Sequence, residues 1–563
     1  MKLVECVPNF SEGRNRATID AIAEAIRAVD GVELLDVDPG VDTNRTVVTM
    51  LGPPEAVLEA AFAAIRTGVE RIDMRGHQGA HSRMGAADVC PFVPVRGLDM
   101  DDCVALARRL GRRVGEELGV PVYLYEAAAS RPERRNLAAV RKGEYEGLAD
   151  RFGDPEWAPD FGPAEFKPAA GATAIGAREF LIAYNFNLNT SDRAIAHDIA
   201  LDIREAGRAE RDAQGRIVRD AEGKAVKKPG LFQHVKAVGW LMEDYGCAQV
   251  TMNLTDYKRT PLAEVFDAVC RLADERGVRV TGSELVGVMP EDCLIQAGKH
   301  FLRKAGHSPG QPKADILEVA VRSLGLGELY PFDFDDKIIE RRIPQQRPLA
   351  ALDLPGFADR TSTAAPAPGG GSVAALCGAL AAALSAMAAN LTAGRKQFAA
   401  VEDEMIRLAE AGQRHKDALL AAVDEDAASF DRVMDALRLP KKTAEQKAAR
   451  AEALQRATLG ATGVPLSVLR RCPEVLALAE AAVERANPQA LSDAGVAGLC
   501  ARTAAEGAGY NVLINIAGLS DEKTVAALRG EADELLAVVR RRADALAAEV
   551  NRRLEAEIAG GEG

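Results

Sequence analysis

Apolar and polar positions alternate in short runs through the first 340 or so residues, then give way to long helical periods. A period of two marks half-buried strands, and apolar residues at three- and four-residue steps mark helices. "LVECVPN" reads as a strand, followed by a helix over roughly residues 15–29. "VELLDVD" and "RTVVTMLG" are β-rich runs separated by the turn "PGVDTN". "PEAVLEAAFAAIRTGVERID" predicts a helix with proline in its first turn, and "ADVCPFVPV" a further strand. This βαββαβ order then recurs. "REFLIAYNFNL" is a strand and "SDRAIAHDIALDIREAG" a helix capped by Ser191. "HVKAVGWLM" and "AQVTMNLTD" are strands, "PLAEVFDAVCRLADERG" a helix and "VRVTGSELVGV" a strand.

Two such units predict two mainly antiparallel sheets, each with helices on one face. Their bare faces have to cover each other, so a cleft between them is the natural ligand site. The charged, Gly-bearing stretch "RDAQGRIVRDAEGKAVKKPG" reads as an exposed hairpin insertion. Residues 343–371 have a linker's Pro/Ala/Gly composition, and nearly everything beyond is helical. The expected division is 1–179 and 180–342 for the α/β subdomains, 343–371 for the linker, and 372–563 for an all-α bundle. The run Ser372–Leu391 is long enough to span a membrane, but it is mostly alanine and lacks aromatic or basic flanks. It predicts a tightly packed bundle helix.

Composition narrows the function. Hydrophobic content of 47% and charged content of 27% are those of a globular protein. A net charge of −13 without a Lys/Arg-rich face argues against nucleic acid as a partner, but leaves room for an anionic small substrate. The nine cysteines are scattered without a CxxC, which predicts reduced thiols and a cytoplasmic setting. No apolar leader opens the sequence.

The segment "RGHQGAHSRMGAADVCPFVP" places His77 and His81 four residues apart. A zinc pair at this spacing needs a helix, usually with a glutamate between the rings, whereas the spacer here is "QGA". Two readings remain: a polar loop without chemistry, or a catalytic loop in which glycines admit a ligand and Arg83 supplies charge for an anion.

Several stretches resemble the formimidoyltransferase-cyclodeaminase family. "VECVPNFSEGRN", "LLDVDPGVDTNRT", "GAHSRMGAADVCPFVPV" and "GVPVYLY" are similar to its transferase half, and the likeness continues through "WAPDFGPAEFKPAAGATAIGAREFLIAYNFNL". "PAPGGGSVAALCGALAAALSAMAANLT" and "SDAGVAGLCARTAAEGAGYNVLINI" resemble the cyclodeaminase half. Ser82 stands where the family pattern has proline, and the charged hairpin near 211–227 looks longer.

The resemblance implies transfer of the formimino group from N-formimino-L-glutamate to tetrahydrofolate, then cyclisation to 5,10-methenyltetrahydrofolate with loss of ammonia. It places the catalytic histidine at His81 and its acidic partner at Asp38, which by itself also reads as a turn residue before Pro39-Gly40. It places the folate-contacting loop at Gly162, Pro163, Ala164, Glu165, Phe166, Lys167, Pro168, Ala169, Ala170 and Gly171, which alone reads as a connector. Tetrahydrofolate, as its polyglutamate, is then a co-substrate. No metal and no permanently bound cofactor are implied, and a homo-oligomer is expected.

In the second half, "DALLAAVDEDAASFDRVMDALRL" offers Asp424 and Asp426. At ~100° per residue, Leu419, Val423, Phe430, Met434 and Leu437 form one stripe. Asp426 lies about 50° from its centre and Asp424 more than about 100° away. A carboxylate bordering an apolar stripe is the one desolvated toward a useful pKa. The resemblance also implies that Asp426 is catalytic, against the alternative of an ion-paired Asp. Asp424 is expected to meet solvent or another subunit. Ser372 of "PGGGS" is an expected N-cap. The architecture alone also admits an enzyme with one active half, or a folate-binding scaffold without chemistry.

Overall fold

The computed structural model describes residues 2–41, 43–79, 82–152, 154–221, 223–242, 245–342 and 348–560. The chain divides into two compact units, Met1–Ala297 with Val321–Gln345, and Gly298–Ala320 with Gln346–Gly563. The helical unit thus draws in a segment from within the range expected for the second α/β subdomain.

The first unit is built on two sheets. In the first, β1 (Leu3–Cys6), β2 (Asn9–Phe10), β3 (Glu33–Gly40), β4 (Arg45–Gly52) and β5 (Ala87–Arg96) pair antiparallel. Two further strands, β6 (Val122–Glu126) and β7 (Thr173–Ala177), extend it in parallel from β5. The run "LVECVPN" is therefore two strands. Pro8 lies at the break and has no N–H to give to the ladder.

Helices Arg16–Arg27, Pro54–Arg71 and Met100–Glu117 cover one face. The first buries Ile19, Ile22, Ala23 and Ile26 at helical spacing and is N-capped by Asn15, which accepts from the Thr18 N–H. The third starts with a capping box between Asp99 and Asp102.

The second sheet contains β8 (Ile182–Leu188), β11 (Val235–Met242), β12 (Cys247–Leu254) and β13 (Val280–Val286), all antiparallel in the order β11-β12-β8-β13. Tyr184, Phe186 and Leu188 point from β8 into the core, where helices Arg193–Ile203 and Leu262–Asp274 lie. Gly239 of β11 lets the first of these helices approach, since a Cβ there would collide with the His197 backbone. That helix is capped by Asp192, not Ser191: Asp192 accepts from the Ala194 N–H. Between Ile203 and Val235 the charged insertion forms the short pair β9 (Arg208–Ala209) and β10 (Lys227–Lys228), with isolated bridges beyond it.

The second unit is a helical bundle. Gly370–Asn390 packs against Glu402–Arg438, Ala444–Arg485 and Leu491–Ile516, and Glu522–Gly560 completes the set. Its apolar run is the bundle's axis, where buried Ala374, Ala375, Ala379, Ala382 and Ala386 allow close helix approach. The stretch expected to be linker is partly ordered, because Leu354–Thr361 is helical and capped by Asp353. The Phe430–Leu437 end of the anticipated apolar stripe is not covered within this chain: Phe430 and Leu437 are exposed, while Leu419 and Val423 are buried.

Candidate functional site

The uncovered faces of the two sheets bound a cleft of about 1680 Å³. The first sheet contributes Glu5, Asn9, Asp38, Arg45 and Thr49, and the second Ala183, Lys236, Asn253 and Val286. The strand register explains this grouping. Lys236 lies opposite Asn253, Asn253 opposite Ala183, and Ala183 opposite Val286. In the first sheet, Asp38 opposes Val47, which opposes Asn9. Asp38 is therefore on the cleft wall, within electrostatic reach of Arg45, whose positive charge is also influenced by buried Asp88.

The predicted histidine, His81, lies outside the described residues. The segment leading to it is tightly braced. His77 Nε2 donates to the Asn44 carbonyl at 2.9 Å, and Arg83 Nε donates to His77 Nδ1 at 3.2 Å. With both ring nitrogens engaged in this way, His77 is a structural anchor. Asn44 also donates from Nδ2 to the Gln78 carbonyl at 3.0 Å and accepts from the Gly13 N–H.

Arg83 does not offer its charge to an anion, contrary to expectation. It is 8% exposed and ion-paired to Glu144 at 3.1 Å and Glu146 at 2.6 Å. Behind it, buried Asp88 accepts from the Met84 N–H at 3.0 Å and pairs with Arg141, a cleft residue.

Residues 162–171 lie against the same segment. The carbonyls of Ala169 and Ala170 accept from the N–H groups of Met74 and Ala86 at 2.9 and 2.8 Å. Gly171, at φ +69°, bridges Gly85 so closely that a Cβ would collide with the Met84 carbonyl. Phe166 packs on Tyr145, and Lys167 stands 3.7 Å from Glu165. Among the described residues, those lining the cleft include Ser82, Glu144 and Asp38, but none from 162–171.

The second unit carries its own site. Ser372 Oγ donates to Asp426 Oδ2 at 3.0 Å, and the Ser372 N–H also reaches this carboxylate. Ser372 is not the N-cap of its helix; the cap is Gly369. A Cβ at Gly371 would collide with the Asp426 carboxylate, so the glycine makes room for it. Burial raises the Asp426 pKa, opposed by the two Ser372 hydrogen bonds.

Asp424, expected to meet solvent or another subunit, is bound to backbone of this same chain. Its Oδ1 accepts from the Leu349 N–H at 2.8 Å and the Ala350 N–H at 3.4 Å, tying that segment to the bundle. Among the described residues there is no cluster of three or more His, Cys, Asp or Glu able to hold a metal ion.

Sequence reasoning missed Glu5, Arg45 and Arg141. The available signal was "LVECV", in which a glutamate interrupts an apolar strand on the face left bare of helices.

Comparison with known proteins agrees with the two-unit construction. Family models match in order: the formiminotransferase domain, N-terminal subdomain, over 3–178; the formiminotransferase domain over 183–344; and formiminotransferase-cyclodeaminase over 353–534. Formimidoyltransferase-cyclodeaminase of Rattus norvegicus is 42% identical over 95% of this chain and 96% of its own length. The chain belongs to the formimidoyltransferase-cyclodeaminase family. Each half also has separate relatives outside full-length members of the family. Glutamate formimidoyltransferase of Streptococcus pyogenes is 40% identical over 54% of this chain and 94% of its own. Methenyltetrahydrofolate cyclohydrolase of Methylorubrum extorquens is 42% identical over 32% of this chain and 87% of its own.

Proposed function

We propose that the chain is a bifunctional folate enzyme of histidine breakdown. Its α/β unit transfers the formimino group of N-formimino-L-glutamate to N5 of tetrahydrofolate. Its helical unit closes N10 onto that carbon and releases ammonia, giving 5,10-methenyltetrahydrofolate. The observation that carries this reading is the match to a bifunctional relative over 95% of the chain, with both halves in order.

In the first reaction N5 attacks the amidine carbon and loses a proton, and the departing glutamate nitrogen must gain one. A histidine titrating near neutrality does both, and we assign this to His81 by family resemblance. Asp38 on the cleft wall is the assigned carboxylate that orients the ring and stabilises its charged form. Lys142 and Lys236 in the cleft add positive charge suited to the substrates' glutamate carboxylates. We place the 162–171 loop at the folate, supported by its attachment to the segment that precedes and follows His81.

In the second reaction Asp426 is the proton-transfer group. Burial favours its protonated form and raises its pKa, while Ser372 supports the anion. Neither reaction in this scheme calls for a bound cofactor other than tetrahydrofolate as co-substrate. All nine cysteines are free, which supports a cytoplasmic setting.

Self-association with further copies of the chain is supported by apolar helix faces on the bundle. Val496, Leu499, Tyr510 and Ile514 form one exposed stripe, Tyr510 at 64% and Ile514 at 72%, and Leu380 and Met387 are exposed on the adjoining helix. The test of function is the intact chain mixed with N-formimino-L-glutamate and tetrahydrofolate, followed by methenyltetrahydrofolate absorbance and ammonia. Product formation with stoichiometric ammonia is expected; neither signal from folded protein would contradict the assignment.

A further inference from the structure

We propose that Glu5 receives the N–H groups of the substrate's amidinium and so holds the formimino carbon of N-formimino-L-glutamate in the cleft. This inference rests on the transferase reading above.

Glu5 projects from β1 onto the uncovered sheet face, opposite Leu51 of β4 and Val93 of β5, both fully buried. It lines the cleft yet is only 4% exposed. Among the described residues it has no hydrogen bond and no ion pair within 4.0 Å. The charge that reaches it is Arg178, whose Nη1 donates to the Glu179 carbonyl at 3.0 Å. The neighbouring ionisable groups are Cys6, Cys90, Tyr125 and Glu126; Glu126 too feels Arg178. Burying a carboxylate without hydrogen-bond partners is costly, so a ligand that supplies them is strongly selected.

Asn9, two positions beyond Val7 on the same face, gives a second observation. It is 4% exposed, and its Nδ2 is used on the Val7 carbonyl at 2.8 Å while Oδ1 has no partner. Glu5 is therefore an acceptor on the cleft floor without a donor from the described residues, and Asn9 Oδ1 is a second, enclosed one. A ligand that satisfies them must bring donors, and beside Glu5 it must bring positive charge.

Of the reactants, the formimino group alone meets both requirements. It is an amidine, protonated at neutral pH, and its planar N–C–N unit presents parallel N–H groups to two carboxylate oxygens as a guanidinium does. The glutamate carboxylates would be repelled by Glu5. The substrate is thereby oriented with its amidinium at Glu5 and its carboxylates toward cationic residues such as Lys236. Burial raises the Glu5 pKa to about 7, with Arg178 opposing, so the carboxylate is available to a cation above that pH and lost to it below.

The test is Glu5→Gln in the full chain. The KM for N-formimino-L-glutamate should rise about 10–100-fold, as expected for losing a charged hydrogen-bond pair. The KM for tetrahydrofolate should stay within about twofold and cyclodeamination of supplied 5-formiminotetrahydrofolate should persist. The fall in kcat/KM for N-formimino-L-glutamate as pH drops through about 7 should be shallower in the variant than in the unsubstituted enzyme, because one of the two ionisations behind it is gone and only that of the general base is left. An unchanged KM for N-formimino-L-glutamate, or equal rises in both KM values, overturns the proposal.

If the variant does not fold, competition in the unsubstituted enzyme decides. Formamidinium should compete with N-formimino-L-glutamate and neutral formamide should not, and equal competition by the two overturns the proposal. Absence of transfer in the unsubstituted enzyme would instead sink the transferase reading itself.

Discussion

Ser372 Oγ stands 3.0 Å from Asp426 Oδ2 and 3.1 Å from the Val423 carbonyl, and the Ser372 backbone N–H lends further support to the carboxylate. Two consecutive long helices of the bundle meet at this pair. The "PGGGS" turn serves it: Gly371 leaves space, and Ser372 supplies the donors.

The spacing requirement is directly testable. Gly371→Ala puts a methyl where the Asp426 carboxylate lies. Ammonia release should fall at least about tenfold, while transfer to tetrahydrofolate in the other unit is unchanged. Full ammonia release would show that the carboxylate does not need its present position.

Asp424 has a different task, holding the Leu349 and Ala350 N–H groups. Asp424→Ala should destabilise the bundle by about 1–3 kcal/mol, the cost of leaving such donors unpaired, and reduce ammonia release far less than loss of Asp426. Thermal unfolding of the variant checks the first part and an ammonia assay the second.

Helical geometry separates Asp426 from Asp424 in the sequence. Two residues apart on one helix means about 200° around its axis, and the apolar stripe picks out one aspartate. The stripe carries no information on Asp424, whose partners come from residues 349–350 in a stretch that composition marks only as linker.

The alternating runs likewise foretell two sheets and a cleft, but not β6 and β7. "VYLYE" is short and almost continuously buried, and "TAIGA" is made of small residues, so neither shows a period. Arg83 is easily misread because a cation beside glycines looks available in sequence, whereas Glu144 and Glu146, some sixty positions later, bind it. Glu5 escapes notice because its significance depends on which sheet face lacks helices.

Glu5 also leaves a stability signature. Its folded pKa of about 7 lies above the ordinary glutamate value of 4.5, because burial disfavours the charge. The folded state therefore holds its proton more tightly than the unfolded chain. The stability of the first unit should fall as pH rises from about 4.5 through about 7, and Glu5→Gln should remove the Glu5 part of that fall, leaving the parts of Glu126 and Glu340, which burial shifts in the same direction. Above pH 7 the variant should be more stable by about 1–3 kcal/mol. Denaturant unfolding at pH 5 and pH 8 measures it, and an equal pH dependence in both proteins would contradict the assignment.

The exposed Tyr510 and Ile514 should be covered in the assembled enzyme. Ile514→Glu introduces a charge on that face and should shift the protein to a smaller species in light scattering. An unchanged mass would contradict self-association through this face.

The most direct test of two sites acting in sequence is Asp426→Asn in the intact chain, with both products followed together. With N-formimino-L-glutamate and tetrahydrofolate supplied, glutamate release should continue at the unsubstituted rate. Ammonia release should drop about 10²–10⁴-fold, and 5-formiminotetrahydrofolate should accumulate. Ammonia release at an undiminished rate from folded Asp426→Asn protein would contradict the account.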